Sequence, residues 1–159
     1  MGVAGSGKTT IGRLLAKTLG WQFYDGDDYH PKANVDKMSR GLALTDEDRA
    51  RWLTALQDLI RRLLNESQSA VLACSALKQA YRDRLKENQD EVVFVHLKAS
   101  YEVLHQRLRS RKDHFMKGEL LASQFDTLEE PKCVLVVNME EKPQVIVKQI
   151  ERALRLSRI

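Results

Sequence analysis

The strongest chemical signal in the sequence lies at its start. Residues 2–9, GVAGSGKT, fit the pattern Gly-x-x-x-x-Gly-Lys-Thr, and a helix with apolar periodicity is predicted directly after them. In such a loop, backbone N–H groups point inward at phosphate oxygens, and the helix adds its positive N-terminus. A chance glycine-rich turn is the alternative, which the periodic helix disfavours. We therefore expect the loop to bind nucleotide phosphates through Gly2, Val3, Ala4, Gly5, Ser6, Gly7, Lys8, Thr9 and Thr10.

A second candidate site follows in the segment YDGDD, at the end of the next predicted strand. Residues two apart in an extended segment face the same side, so Asp25 and Asp27 should project together while Asp28 points away. Strand ends in doubly wound sheets open onto the ligand crevice. Two carboxylates there could hold the water shell of a metal ion and accept a proton from a substrate hydroxyl. An acidic turn without a function is the alternative.

Cationic side chains are predicted near the same crevice. Arg49 lies in the first turn of a long helix, and Lys78 and Arg82 are four residues apart, so that they share a helix face. Lys78 and Arg82 could together grip a carboxylate, although surface solvation is the alternative for each of the three cations. Arg107 and Arg111 are also four apart, where a lid arginine could stabilise charge during phosphoryl transfer.

The elements that must position these residues alternate between strand and helix. Alternation of this kind predicts a parallel sheet with helices on both faces. The stretch from Asp113 to Pro131 has weak periodicity and is typical of a lid, in which His114 could bind substrate or organise the segment. No repeat or linker interrupts the chain, so we expect one domain over residues 1–159 with a lid region around 107–130. Strands are predicted over 21–27, 70–77, 92–99 and 133–139, and helices over 8–19, 45–66, 78–87, 101–112 and 144–156.

The composition narrows the class of protein. The net charge of +4 suits a small anionic substrate, and the aromatic residues are too few to form a stacking platform for nucleic acid. The sequence contains no run of about 18 apolar residues that would predict a membrane span, and its N-terminus has no apolar signal core. We therefore expect a cytoplasmic protein. Cys74 and Cys133 each lie in an apolar run and are expected to be buried thiols in strands.

Five segments together resemble the gluconokinases, the ATP-dependent kinases of D-gluconate. The resemblance is collinear from Gly2 to Pro131. Shikimate kinases share the fold and the two spaced acids, but DYHPKAN, ACSALK and the stretch after His114 are similar to gluconokinases. The segments are residues 1–10, 23–41, 44–53, 73–85 and 111–131.

The resemblance implies a P-loop NTPase fold of the nucleoside-monophosphate-kinase type, with ATP on residues 2–10 and Mg²⁺ near Thr9 and Asp25. It implies a lid that contains Arg107 and Arg111, a homodimer, and a place in the pentose phosphate route. The catalytic residues would be Lys8, Asp27 and Asp25, with Asp27 chosen to orient or deprotonate the substrate hydroxyl and Asp25 as its rival. Gluconate would contact Asp27, His30, Arg49, Lys78, Arg82, His114 and Gln124.

One departure from the family pattern concerns the sheet. Gluconokinases carry a strand before the P-loop, whereas here only Met1 precedes Gly2. We therefore expect the first strand to be missing from this chain, with the sheet completed in another way or by residues that precede Met1. Two alternative functions remain at this stage, a catalytically impaired nucleotide-binding form and a kinase of another small hydroxy acid such as shikimate.

Overall fold

The computed structural model describes residues 1–87, 89–109 and 118–155 of the chain. Within these ranges the protein is α/β, with parallel strands that alternate with helices, as predicted. The strands are β1 (Gln22–Asp25), β2 (Ala70–Ala73), β3 (Val95–Lys98) and β4 (Leu135–Asn138). The helices are α1 (Lys8–Leu19), α2 (Lys32–Ser39), α3 (Asp46–Asn65), α4 (Gln79–Lys86), α5 (Tyr101–Arg109), α6 (Gly118–Thr127) and α7 (Pro143–Ala153).

The described strands form two parallel pairs. Strand β1 pairs with β2, with Gln22 opposite Ala70, and β3 pairs with β4, with Val95 opposite Leu135. All four strands are shorter than the sequence predicted, because only four residues of each apolar run form a ladder.

The first two residues lie between the two strand pairs. The Met1 amino group donates a hydrogen bond to the Val95 carbonyl (2.6 Å), and the Leu97 N–H donates to the Met1 carbonyl (2.9 Å). On the other side, the Gly2 N–H donates to the Ser75 carbonyl (3.2 Å). The backbone of residues 1 and 2 therefore links the two pairs at the position from which the P-loop begins.

Helices cover both faces of the strands. Successive side chains of a strand point to opposite faces, and Val71 packs on the buried cluster of α1 and α7 while Leu72 packs on that of α3 and α4. A third cluster packs Leu104 and Leu108 of α5 against Val3 of the P-loop. The predicted α/β architecture, with parallel strands between two helical layers, is confirmed, although the described strands form two pairs.

Local sequence signals account for the helix ends. Helix α1 ends at Gly20, which has the left-handed φ of 73° that glycine tolerates. Helix α3 begins with a capping box, in which the Asp48 N–H donates to Thr45 Oγ1 and the Thr45 N–H donates to Asp48 Oδ2. None of the helices in the described ranges is long and apolar enough to cross a membrane.

The two cysteines differ in environment. Cys74 is buried, as predicted, but it lies directly after β2 and not within the strand. The prediction for Cys133 is wrong, because this residue is exposed and has a φ of 58°. The last strand begins only at Leu135, so Cys133 lies in the preceding turn.

Candidate active site

A cavity of about 150 Å³ lies beside the P-loop. It is formed where the P-loop, the segment after β1, the start of α3 and helix α6 meet. Among the predicted site residues, those that line it are Ala4, Gly5, Gly7, Lys8, Thr9, Thr10, Asp27, His30, Arg49 and Gln124.

The backbone of the P-loop is shaped by its glycines. Gly5 and Gly7 have φ values of 76° and 84°, which are left-handed and favour glycine. A Cβ on Gly7 would also lie 2.7 Å from Cε of Met139, so no other residue fits there without a shift. Helix α1 begins at the next residue and has no side-chain cap, which leaves its first N–H groups for an anion.

Lys8 lies across the P-loop. Its Nζ donates a hydrogen bond to the Val3 carbonyl at 3.0 Å. Burial lowers the pKa of Lys8, and the negative charges of Asp27 and Asp25 act in the opposite direction. The ammonium group is therefore held at the loop with both predicted catalytic carboxylates in its electrostatic environment.

Thr9 and Asp25 meet as the predicted metal site requires. The Thr9 hydroxyl donates to Asp25 Oδ2 at 2.8 Å, which brings the start of α1 to the end of β1. Mg²⁺ prefers oxygen ligands and usually keeps waters and substrate phosphates in its shell, so one hydroxyl and one carboxylate fit it. No group of three or more histidine, cysteine or acidic side chains suited to a metal occurs in the described part of the chain.

The segment after β1 differs from the prediction. Residues Gly26–Tyr29 form a 3₁₀ helix, not an extended segment, and Asp25 is its N-cap, accepting from the Asp27 N–H at 3.2 Å. The expectation that Asp25 and Asp27 project together is therefore wrong. Asp25 faces Thr9, whereas Asp27 lines the cavity and Asp28 is exposed outside it. The turn gives the two carboxylates separate positions, and hence allows separate roles.

His30 lines the cavity on a base of buried side chains. Its ring stacks on Trp52, with centroids 4.7 Å apart and planes at 10°. Trp52 Nε1 donates to the Gly26 carbonyl at 2.7 Å, which ties α3 to the 3₁₀ helix. Burial lowers the pKa of His30 below its ordinary 6.5, opposed by Asp27 and aided by Arg49. The imidazole is therefore neutral at neutral pH.

Two of the predicted cations lie at the start of α3 and of α4. Arg49 lines the cavity, and its Nη1 is 3.8 Å from Asp46 Oδ1. Lys78 instead donates to both carboxylate oxygens of Asp46, at 2.8 and 2.7 Å, and the Tyr81 hydroxyl donates to the same carboxylate. Lys78 is therefore paired with an acid and is not among the residues that line the cavity.

Arg82 does not share the face of Lys78. Its side chain is buried, and the guanidinium donates to the Ala76, Leu77 and Glu129 carbonyls, each at 2.9 Å. The prediction that Lys78 and Arg82 face the crevice together is wrong, because α4 begins at Gln79 and Arg82 points into the core from its first turn. Arg82 holds the segments after β2 and α6 together.

The region around the predicted lid is described only in part. Gln124 of α6 accepts a hydrogen bond from the Ala4 N–H at 2.7 Å, so this helix contacts the P-loop directly. Arg107 donates to the Met139 carbonyl at 3.0 Å and does not line the cavity. Arg111 and His114 lie outside the described residues.

Sequence reasoning missed part of the cavity wall. Trp52 is a buried residue of α3 that also stacks against His30 and lines the cavity. The periodicity that predicts a buried residue does not show that its far edge meets a cavity. Other lining residues without a chemical signal of their own are Met38, Ala43, Leu44, Ser75, Leu77, Leu120 and Ser123.

Comparison with known proteins places this site in context. The chain matches the model of the shikimate kinase family over residues 4–155. A probable gluconokinase from Xenopus tropicalis is 47% identical over 169 residues, covering 95% of this chain and 89% of that protein. A gluconokinase from Gluconobacter oxydans is 46% identical over 155 residues, covering 96% and 87%.

A solved structure agrees with these relatives. The crystal structure of a gluconokinase from Sinorhizobium meliloti has a TM-score of 0.87 and 39% identity, covering 98% of this chain and 89% of that one. The match to the shikimate kinase family model reflects the P-loop kinase fold that shikimate kinases and gluconokinases share. Because identity to gluconokinases extends over nearly the whole of both chains, this chain belongs to the gluconokinase family of P-loop kinases.

Proposed function

We propose that the protein is a gluconokinase that transfers the γ-phosphate of ATP to the C6 hydroxyl of D-gluconate, giving 6-phospho-D-gluconate and ADP. One observation carries the proposal: Asp27, His30 and Arg49 line the same cavity as Lys8 and Thr9 of the P-loop. A carboxylate for the hydroxyl, a cation for the acid group and a phosphate-binding loop are thus combined in one space. The family membership supports gluconate as the acceptor.

The phosphate side of the reaction belongs to residues 2–10. Backbone N–H groups of the loop and of the start of α1 bind the ATP phosphates. Lys8 exchanges its contact with the Val3 carbonyl for the transferring phosphoryl group, whose charge it stabilises. Thr9 and Asp25 would hold Mg²⁺, which would neutralise negative charge on the ATP phosphates.

The acceptor side depends on Asp27. Asp25 is engaged with Thr9, whereas Asp27 faces the cavity, which favours Asp27 as the group that orients the C6 hydroxyl and takes its proton. The oxygen of that hydroxyl then attacks the γ-phosphate in line as the bond to ADP breaks. Lys8 lies close enough to Asp27 for their charges to interact.

The remaining polar groups orient the acid. Arg49 binds the gluconate carboxylate, since a guanidinium can do so through two parallel hydrogen bonds. Lys78 forms an ion pair with Asp46, which also lies beside Arg49. Arg82 contributes by holding the segment after α6 in place through its hydrogen bond to the Glu129 carbonyl. The lid region around 107–130, with Arg107, Arg111 and His114, would cover both substrates. The hydrogen bond between Gln124 of α6 and the P-loop supports this part of the proposal.

A panel of acceptors tests the proposal. ADP release is measured with D-gluconate, other sugar acids, shikimate and neutral polyols, at saturating ATP and Mg²⁺. We expect D-gluconate to give the highest kcat/KM. An equal rate with shikimate would support a different hydroxy-acid kinase, and ATP binding without turnover of any acid would support a nucleotide-binding protein.

The proposal also includes a homodimer in which each chain forms one kinase domain. It places the enzyme in the cytoplasm and in the pentose phosphate route. Sedimentation of the purified chain with and without nucleotide tests the oligomeric state.

A further inference from the structure

Asn34 is a buried polar side chain that lies next to the cavity. It belongs to the first turn of α2 and is only 4% exposed. Its side-chain nitrogen Nδ2 is 2.8 Å from the Asp48 carbonyl oxygen and 3.3 Å from Nδ1 of His30. One amide group therefore connects the start of α3 with a ring that lines the cavity.

The Asp48 carbonyl fixes the orientation of the Asn34 amide. A carbonyl oxygen can only accept, so the Asn34 atom that faces it must be the NH₂ group. The opposite orientation would place two acceptor oxygens against each other in a buried position. With one N–H directed at Asp48, the second N–H of the same group is available to His30 Nδ1.

The same logic fixes the proton on His30. Because the Asn34 nitrogen can only donate, Nδ1 of the neutral imidazole must accept and carries no proton. The proton of the neutral ring then lies on Nε2, which has no hydrogen-bond partner among the described residues. Stacking on Trp52 holds the plane of the ring at the cavity that His30 lines with Asp27 and Arg49.

We propose that Asn34 is a positioning residue that fixes the Nε2–H tautomer of His30, so that His30 donates a hydrogen bond to an oxygen atom of the acceptor substrate. The identity of that acceptor as a polyhydroxy acid rests on the proposed function. In this tautomer Nε2 has no lone pair to accept a proton, so His30 is not the base and Asp27 keeps that role. The site selects for an oxygen lone pair at this position and against a group that can only donate.

The tautomer can be measured directly in the unmodified protein. Long-range ¹H–¹⁵N correlation spectra of ¹⁵N-labelled, substrate-free protein at neutral pH distinguish a protonated from an unprotonated ring nitrogen. We expect His30 to show protonated Nε2 and unprotonated Nδ1. A neutral ring with the proton on Nδ1 would overturn the proposal. The measurement does not depend on catalysis, so it reports the tautomer even if the protein does not phosphorylate gluconate. Failure of the tautomer proposal can therefore be distinguished from failure of the proposed function.

Asn34→Asp tests the cause. A carboxylate can only accept, so His30 Nδ1 should become protonated in this variant. Asn65→Asp, the same change at an exposed position on α3, should leave the His30 signals unchanged, and His96 and His105 serve as internal references. An unprotonated Nδ1 in folded Asn34→Asp protein would contradict the assignment.

Substitution of His30 tests the donor itself. His30→Gln keeps an N–H donor and His30→Leu removes it. We expect the KM for gluconate to be about 3- to 10-fold higher in the leucine variant than in the glutamine variant, the size of one hydrogen bond. The KM for ATP should be the same in both. Equal KM values for gluconate in the two variants would show that the donor is not used.

Discussion

Two helices begin at the cavity, and their N-termini differ. Helix α1 starts after Gly7 without any side-chain cap, whereas α3 starts with the complete capping box of Thr45 and Asp48. The first N–H groups of α1 are therefore available to a ligand, while the Asp48 N–H in the first turn of α3 is already bound by Thr45. In the proposed function, the phosphate half of the cavity (the P-loop and the start of α1) is therefore made mainly of backbone, and the acceptor half (Asp27, His30 and Arg49) of side chains.

The largest expected effect concerns the acceptor half. Asp27→Asn keeps the shape of the side chain but cannot take a proton, so kcat should fall by about 10²–10⁴-fold with little change in ATP affinity. Steady-state kinetics with gluconate and a direct ATP-binding measurement check both parts.

Asp28→Asn is the matched control for this change. Asp28 is the next residue in the same 3₁₀ helix, is exposed and does not line the cavity, so the variant should behave as wild type. If Asp25→Asn lowered kcat more than Asp27→Asn, the roles of the two carboxylates would be exchanged.

The phosphate half is tested by Lys8→Ala. Loss of this charge should reduce kcat by about 10²-fold or more, because it removes a stabilising contact with the transferring phosphoryl group. The melting temperature should remain close to wild type, since Lys8 bonds only a loop carbonyl. Lys17→Ala, at an exposed position on the same helix, is the control. A folded Lys8→Ala protein with normal turnover would remove the phosphate-binding role of the lysine.

Recognition of the acid group should separate the two halves in kinetics. Arg49→Ala should raise the KM for gluconate by about 10- to 100-fold, the range for one hydrogen-bonded charge, and leave the KM for ATP unchanged. Arg51→Ala, an exposed neighbour, should change neither constant. If the KM for ATP rose with that for gluconate, Arg49 would belong to the phosphate half.

The smallest effect concerns the cap of α3. The hydrogen bond from Lys37, together with the backbone of Thr45, lowers the pKa of Asp48 from 3.8 to about 2. A carboxylate whose pKa is lowered by folding stabilises the protein at pH values above its pKa in the unfolded state. This contribution is lost as the pH falls from about 4 to 2. Asp48→Asn should therefore lose less stability than wild type over this range, measured as the melting temperature. A slope equal to that of wild type would contradict this.

The sequence predicts some of these features better than others. The P-loop is a contiguous motif whose geometry depends on backbone shape, so the loop and the start of α1 at Lys8 could be predicted without a structure. Asp25 and Asp27 remain candidates for separate roles, but the 3₁₀ turn at Gly26 overturns the geometry inferred from strand periodicity. Arg82 was misplaced because sequence spacing does not show which helix face meets the core.

The His30–Asn34 pair marks another limit of sequence reasoning. A spacing of four residues suggests two neighbours on one helix, yet His30 precedes α2, and the orientation of the Asn34 amide depends on a carbonyl from α3. Trp52, which supports the ring, comes from a third part of the chain. Contacts of this kind arise only when the elements are packed.

The backbone of Met1 and Gly2 has a consequence for cooperativity. It bonds to Val95 and Leu97 on one side and to Ser75 on the other, and then continues directly into the P-loop. The two strand pairs are therefore two units joined through the segment that leads into the P-loop. A nucleotide that binds only the folded loop adds its binding free energy to the cohesion of both units, so that ligand occupancy and the integrity of the sheet are thermodynamically linked.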